Sequence, residues 1–144
     1  MAHQPEHRSV GGYVQYFNPD NLPKNRAFTQ VVSVSGAVKT IYVGGQDAVD
    51  EQGNIVGKGD IGAQAQQVLA NLQTALAAAG AELEHIVKWN VYIVQGQPLQ
   101  QGLAAFQRAW GNRPNPPAIT GMFVVGLAHP DFLVEMDAIA VVAV

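Results

Sequence analysis

Two carboxylates, Glu135 and Asp137, fall inside the aliphatic run Phe132 to Val142, which alternates as a strand. They share one face with Leu133, Ile139 and Val141, while Val134, Met136, Ala138 and Ala140 share the other. An acid among aliphatic neighbours is either a structural group with a buried partner or a proton carrier. Desolvation between Leu133 and Ile139 suits Glu135 to proton transfer near neutral pH, whereas Asp137 is expected to be structural. Lys88 is the nearest candidate counter-ion. It lies on the mixed face of a second alternating run, Ile86 to Val94, and an ion pair suits it better than Schiff-base chemistry.

The remaining polar residues offer less. His3, His7, His85 and His129 have no metal-ligand spacing, so no metal site is expected, and His129 stays only as a neighbour of the final strand. Cysteine is absent, which excludes disulfides, thiolate zinc sites and thiol nucleophiles. Gly44-Gly45 at a strand end offers backbone N–H groups to an anion, or simply room for close packing. Arg113 opens the proline-laden Arg113-Pro114-Asn115-Pro116-Pro117 loop, where it is either solvated or able to reach a cleft. Met122, beside Phe123, would line an apolar cleft suited to a neutral or aromatic ligand.

The elements that must position these groups follow from periodicity. Residues 1–27 are rich in Pro, Asn, Gly and His and read as an irregular leader; 28–144 form a single domain. Gln30 to Ser35 and Thr40 to Val43 flank Ser35-Gly36-Ala37 and are expected to pair as a hairpin. Asp60 stands as N-cap to a helix with Ile61, Val68, Leu69, Leu72, Leu76 and Ala79 inward and Gly80 as its stop. On Ile86 to Val94, Val87, Trp89, Val91 and Ile93 form the core face. Pro98 opens a second helix with Leu99, Leu103, Phe106 and Trp110 inward and Gly111 closing it, before strands at Ala118 to Val125 and Phe132 to Val142.

This order predicts an α+β fold, one mixed sheet with two helices on a single face. The sheet's other face is half polar and lacks a cover. With 48% apolar and only 13% charged residues, the chain is lightly charged for a monomer surface, so the expected cover is another copy of itself. A net charge of −3 with eight scattered basic residues makes nucleic acid an unfavourable partner. No segment reads as a signal peptide or reaches the roughly 18 apolar residues needed to span a bilayer, so a cytoplasmic protein without membrane attachment is expected.

From about Asn18 to Val144 the chain resembles the YjgF/RidA family, also called UK-type or L-PSP endoribonuclease-like. The segments that carry the resemblance are Phe28-Thr29-Gln30, Tyr42-Val43-Gly44-Gly45-Gln46, Gln64 to Leu72, Ala77 to Ala81, Ile86-Val87-Lys88, Pro117-Ala118 and Val134 to Ala140. The resemblance implies a chorismate-mutase-like fold, a homotrimer whose sheets form a barrel, and small-molecule clefts between subunits. It also implies cofactor-free hydrolysis of imines or enamines to 2-keto acids and ammonia. Glu135 matches the family glutamate that positions water or shuttles a proton. Phe28 matches an aromatic position that is commonly tyrosine, and Gly44-Gly45-Gln46 replaces Ser-Gly-Gln.

The largest departure is Ile119, which stands where the deaminating members carry the arginine that clamps the substrate carboxylate. Losing such a contact costs on the order of 2–5 kcal/mol of binding. The expectation is therefore a Rid-like cleft for a substrate without that carboxylate. Glu135 would act as the catalytic group, with Phe28, Gly44, Gly45, Ile119, Thr120, Gly121 and Arg113 lining the site. A non-catalytic binding or interaction trimer is the alternative, and ribonuclease activity a weaker one.

Overall fold

The computed structural model describes residues 11–144, so the expectations for His3 and His7 lie outside the described residues. The chain runs β1 (Tyr13–Phe17), β2 (Val31–Ser35), β3 (Val38–Gln46), α1 (Ile61–Ala78), a 3-10 turn (Leu83–His85), β4 (Ile86–Val94), α2 (Leu99–Trp110), β5 (Ala118–Val124) and β6 (Val134–Ala143). The main sheet has the order β3-β6-β4-β5. The β4–β5 pair is parallel, with α2 as its crossover, and the other two pairs are antiparallel. Two helices on a mixed sheet are therefore present as expected.

Two expectations about the first strands fail. β2 does not form a ladder with β3; it pairs with β1, from Tyr13↔Ser35 to Phe17↔Val31, as a separate antiparallel ribbon. The segment 13–17 is thus a strand within what composition marked as an irregular leader. Its short alternating run was obscured by the Gly, Pro and Asn residues around it. β3 pairs instead with β6, from Val38↔Ala143 onward.

Asp60 caps α1 by accepting a hydrogen bond from the Ala63 N–H at 3.1 Å. Removing such a cap costs about 1 kcal/mol. The helix ends because Gly80, at φ 79°, takes the left-handed conformation that lets the Ala81 N–H reach the Leu76 carbonyl. Ile61, Ala65, Val68, Leu69, Leu72 and Leu76 are buried in one core with Ile41, Val43, Trp89, Ile93, Val134, Met136, Ala138 and Ala140. Gln64 is fully enclosed yet satisfied: its amide donates to the Gly57 and Asp131 carbonyls and accepts from the Leu133 N–H. It ties the start of α1 to the entry of β6.

A register irregularity between Ile86 and Lys88 alters the simple alternation of β4, so Ile86 takes the core position expected of Val87. On α2, Trp110 is buried and Phe106 meets the Trp89 ring edge-on at 4.8 Å. Leu99 and Leu103, expected inward, remain 42% and 45% exposed. They do face the sheet side, but across a cavity rather than against it. Among the described residues, no helix is long and apolar enough to cross a membrane.

Candidate functional site

Cross-strand partners project to the same side of a sheet, so register places the site residues. On the face away from the helices, Glu135 lies opposite Tyr92, which lies opposite Met122. The next row is Asp137, Asn90 and Thr120, and the third is Ile139, Lys88 and Ala118. Tyr42, opposite Ile139, leaves 78% of its surface exposed on this face.

Asp137 is satisfied within its row and the next. Its carboxylate accepts from the Asn90 amide and the Tyr92 hydroxyl, both at 2.8 Å. That bond holds the Tyr92 phenol above its usual pKa, with desolvation and the Asp137 charge adding to it. Lys88 donates to the Thr120 hydroxyl, and among the described residues it has no ion pair with Glu135 or Asp137. The expected Lys88 counter-ion role is not what the packing provides.

Glu135 is positioned by a glycine. β3 gains one extra residue between Val43 (opposite Ala138) and Gln46 (opposite Met136), so Gly44-Gly45 forms a bulge beside β6. A Cβ on Gly45 would stand 2.7 Å from the Glu135 Oε2. A side chain there would push the flexible end of Glu135 aside. Gly44 has open space around it, with its carbonyl taken by the Gln46 amide at 3.0 Å.

Asp47 follows this bulge and was missed in the sequence reading. Its carboxyl is pushed up to about 7 by burial, by a hydrogen bond shared with Glu135 and by the Glu135 charge. Its Oδ1 is sealed from solvent with no hydrogen-bond partner among the described residues. The available signal was spacing: Asp47 is two residues beyond Gly45, the interval that returns an extended chain to the same side.

Other expected site residues sit on the opposite face. The Thr29 N–H donates to the Pro117 carbonyl at 3.0 Å and the Thr29 hydroxyl to the Pro116 carbonyl, which fastens Phe28 beside the start of β5. Phe28, Ile119 and Gly121 then line a cavity of about 420 Å3 with α2 and the core strands. Leu99, Leu103 and Phe106 form its helix wall; Val91, Ile93 and Met136 contribute from the sheet. Asn25 and Gln107 are polar, and among the described residues none that lines it is charged.

The two sets are separated by the sheet. Ile119 pairs with Trp89 and Glu135 with Tyr92; those two β4 residues are three apart and so point oppositely. Thr120 belongs with Glu135, whereas Phe28, Ile119 and Gly121 belong to the cavity. Arg113 joins neither set: it pairs with Glu84 at 3.0 Å and donates to the Ala109 and Trp110 carbonyls at the end of α2. His129 stays within its own turn, its Nδ1 accepting from the Asp131 N–H at 3.0 Å. Among the described residues, no group of three His, Cys, Asp or Glu side chains could hold a metal.

Comparison with known proteins gives this arrangement its relatives. Residues 12–142 match the family model described as Endoribonuclease L-PSP. A RutC family protein of Pyrococcus abyssi is 33% identical over 100 residues, 69% of this chain and 76% of the relative. Among solved structures, the Rid family protein YyfB of Yersinia pestis is 32% identical, with 90% of this chain and 98% of that one covered at a TM-score of 0.79. RidA of an Antarctic Psychrobacter is 26% identical over 89% of this chain and 99% of that one, at 0.65. With the model spanning nearly the whole described chain and the fold shared throughout, this protein belongs to the Endoribonuclease L-PSP family, the YjgF/RidA proteins.

Proposed function

We propose that this protein is an imine or enamine hydrolase acting on a small substrate without a carboxylate, in a site completed between copies of a homotrimer. The observation that carries the reading is the uncharged lining of the cavity around Phe28, Ile119 and Gly121. A carboxylate entering it would leave its hydration shell for no cation, a cost of several kcal/mol. A neutral alkyl or aryl imine would lose little and bury apolar surface.

Chemistry falls to Glu135, the acid of the outer face that has no ion pair among the described residues and, unlike Asp137, is not occupied by the Asn90 amide and the Tyr92 hydroxyl. It takes the water proton as the O–C bond forms and passes it to nitrogen, giving the carbinolamine, then takes the carbinol proton as the C=O bond forms and passes it to nitrogen as the C–N bond breaks. The products are a carbonyl compound and ammonia or an amine. No cofactor is required for that sequence.

Glu135 lies next to the β3 edge of the sheet, and the Ile119 cavity lies at the β5 edge. A head-to-tail ring joins such opposite edges, bringing the acid of one copy toward the cavity of the next. Ammonia or amine release should be measured with neutral imines beside 2-iminopropanoate. Faster turnover of the neutral substrates, abolished by Glu135→Ala, is expected. Preference for 2-iminopropanoate, or activity surviving Glu135→Ala, refutes the assignment.

A second reading is a binding module without catalysis, favoured by the absence of any titratable group among the described residues that line the cavity. Thermal stabilisation by neutral aromatic compounds without product formation under any condition would select it.

A further inference from the structure

We propose that Gly102 and Gly121 are specificity-determining residues: their two missing side chains hold the cavity beside α2 open for an aromatic ring carried by the substrate. The inference rests on the proposed hydrolytic reading for the reaction that follows, but the seat for the ring stands on the cavity itself.

Helical spacing and strand register aim both positions at the same space. On α2, Leu99, Gly102, Leu103 and Phe106 fall at i, i+3, i+4 and i+7, which is one face of a helix, and all four line the cavity. On the sheet, Gly121 lies opposite Val91, which lies opposite Met136, and this cross-strand row forms part of the facing wall. A Cβ added at either glycine meets nothing within 4 Å among the described residues.

The usual structural reasons for glycine are missing at both positions. Neither has a positive φ, unlike Gly80 and Gly111. Neither admits a close neighbour, as Gly45 admits the Glu135 carboxyl and Gly12 the Ala37 carbonyl. Each sits inside a regular element, where glycine costs backbone entropy and contributes no packing. A larger residue would suit the local backbone better at both and would bury apolar surface in the cavity. What it would remove is the space.

That space suits a ring. At about 420 Å3 the cavity is within the range of small-molecule sites, roughly 300–1,000 Å3, and exceeds what a three-carbon imine needs. Phe28 enters from the loop before β2 and Phe106 from α2, so aromatic side chains from two separate elements offer a flat ring stacked or edge-on contacts. Phe106 is itself braced edge-on against Trp89. Leu99 and Leu103, left half-exposed over the cavity, gain a cover when a ring enters. Asn25 and Gln107 offer amides to the neutral polar end of such a molecule.

The test begins without turnover, on the full chain. Binding of 4-fluoroacetophenone, a neutral aryl ketone of the product class, is followed by 19F NMR in the wild type, Gly102→Ala, Gly102→Leu and Gly121→Val, and Tm is measured for each. The wild type should bind. Affinity should fall stepwise through Gly102→Ala to Gly102→Leu, and by at least about tenfold in Gly102→Leu and Gly121→Val. Tm should hold or rise in the same variants, because alanine and leucine are better helix formers and valine a better strand former than glycine. Weaker binding with undiminished stability separates a filled cavity from a damaged fold, and Gly102→Ala carries the comparison where a larger residue prevents folding. No binding by the wild type, or unchanged affinity in the variants, overturns the assignment. A wild type that binds no probe, with variants that change oligomeric state on sedimentation, shows a second copy filling the cavity and overturns it too. The kcat/KM values for the imines of phenylacetone and acetone are then compared. Their aryl-to-alkyl ratio should fall by at least about tenfold in Gly102→Leu and Gly121→Val. An unchanged ratio overturns the specificity role. Absence of turnover on every imine removes the proposed reaction, and probe binding then decides the seat for the ring alone.

Discussion

The Asp47 carboxyl makes folding stability depend on pH in an unusual direction. Its folded pKa of about 7 stands above the ordinary value of 3.8. Between those values the folded state holds a proton that the unfolded chain has released, so this group's contribution falls as pH rises through the window and levels above it. Three pKa units correspond to roughly 4 kcal/mol for a sealed group, at about 1.4 kcal/mol each. Asp47 has one oxygen sealed but is otherwise only partly enclosed, and solvent screening reduces the figure to about 2 kcal/mol. Asp47→Asn removes the titration while keeping the shape, and supplies an N–H to Glu135. Relative to the wild type, the variant should gain about 2 kcal/mol at pH 8 and under about 0.5 kcal/mol at pH 4.5. Urea unfolding at matched protein concentration reads this as a midpoint raised by about 1 M at pH 8, for a slope near 2 kcal/mol/M. Apart from Glu135, whose charge acts on Asp47, the titrating groups keep the same surroundings in both proteins, so the difference reads Asp47 together with its coupling to Glu135. Parallel stability–pH curves would refute the argument.

Gln64→Ala should cost about 3 kcal/mol in unfolding experiments, because it strands the buried Leu133 N–H and two part-buried carbonyls and removes an enclosed side chain. Leu72→Ala, at a fully enclosed site under the sheet, should cost about 2–5 kcal/mol by the same measurement. Gly45→Ala puts its methyl where the flexible end of Glu135 lies, so stability should change by about 1 kcal/mol or less while turnover falls about a hundredfold. Ile119→Arg should raise kcat/KM for 2-iminopropanoate by at least about tenfold, or 1.4 kcal/mol, by giving the cavity a carboxylate partner. Unchanged selectivity in that variant would show that position 119 does not face the reacting molecule.

The helices and main sheet were legible because their signals are local. Asp60 as N-cap, Gly80 as stop and the spacing from Ile61 to Leu76 are short-range patterns, and the strict alternation of Val134 to Ala140 assigned both faces of β6 correctly. What failed depends on pairing between distant segments. The β1–β2 ribbon needs Tyr13–Phe17 to meet Val31–Ser35 across the loop between them. The irregularity that buries Ile86 instead of Val87 exists only in register with β6. Asp47 was missed for the same reason: nothing near it in sequence indicates that its partner is Glu135, 88 positions later in the chain. Arg113 shows the converse, since a candidate chosen by proximity to Ile119 in sequence is held at the other end of α2 by Glu84.

The separation of Glu135 from Ile119 bears on the expectation that Ile119 stands in place of a clamping arginine. If both residues faced one pocket within a chain, losing the arginine would leave a damaged version of a single site. Here the acid and the cavity are on opposite faces, yet each is intact by its own criteria. The acid has a glycine-made seat and a second carboxyl acting on it, while the cavity is mostly apolar and, among the described residues, lined by no charge. A lost clamp in a decaying site would not require either feature. Ile119 is instead consistent with Phe28, Leu103 and Phe106 around it, and Gly45 with the carboxyl it admits. Agreement among residues that meet only in three dimensions is what the proposed neutral-substrate reading requires and what a decayed site would not.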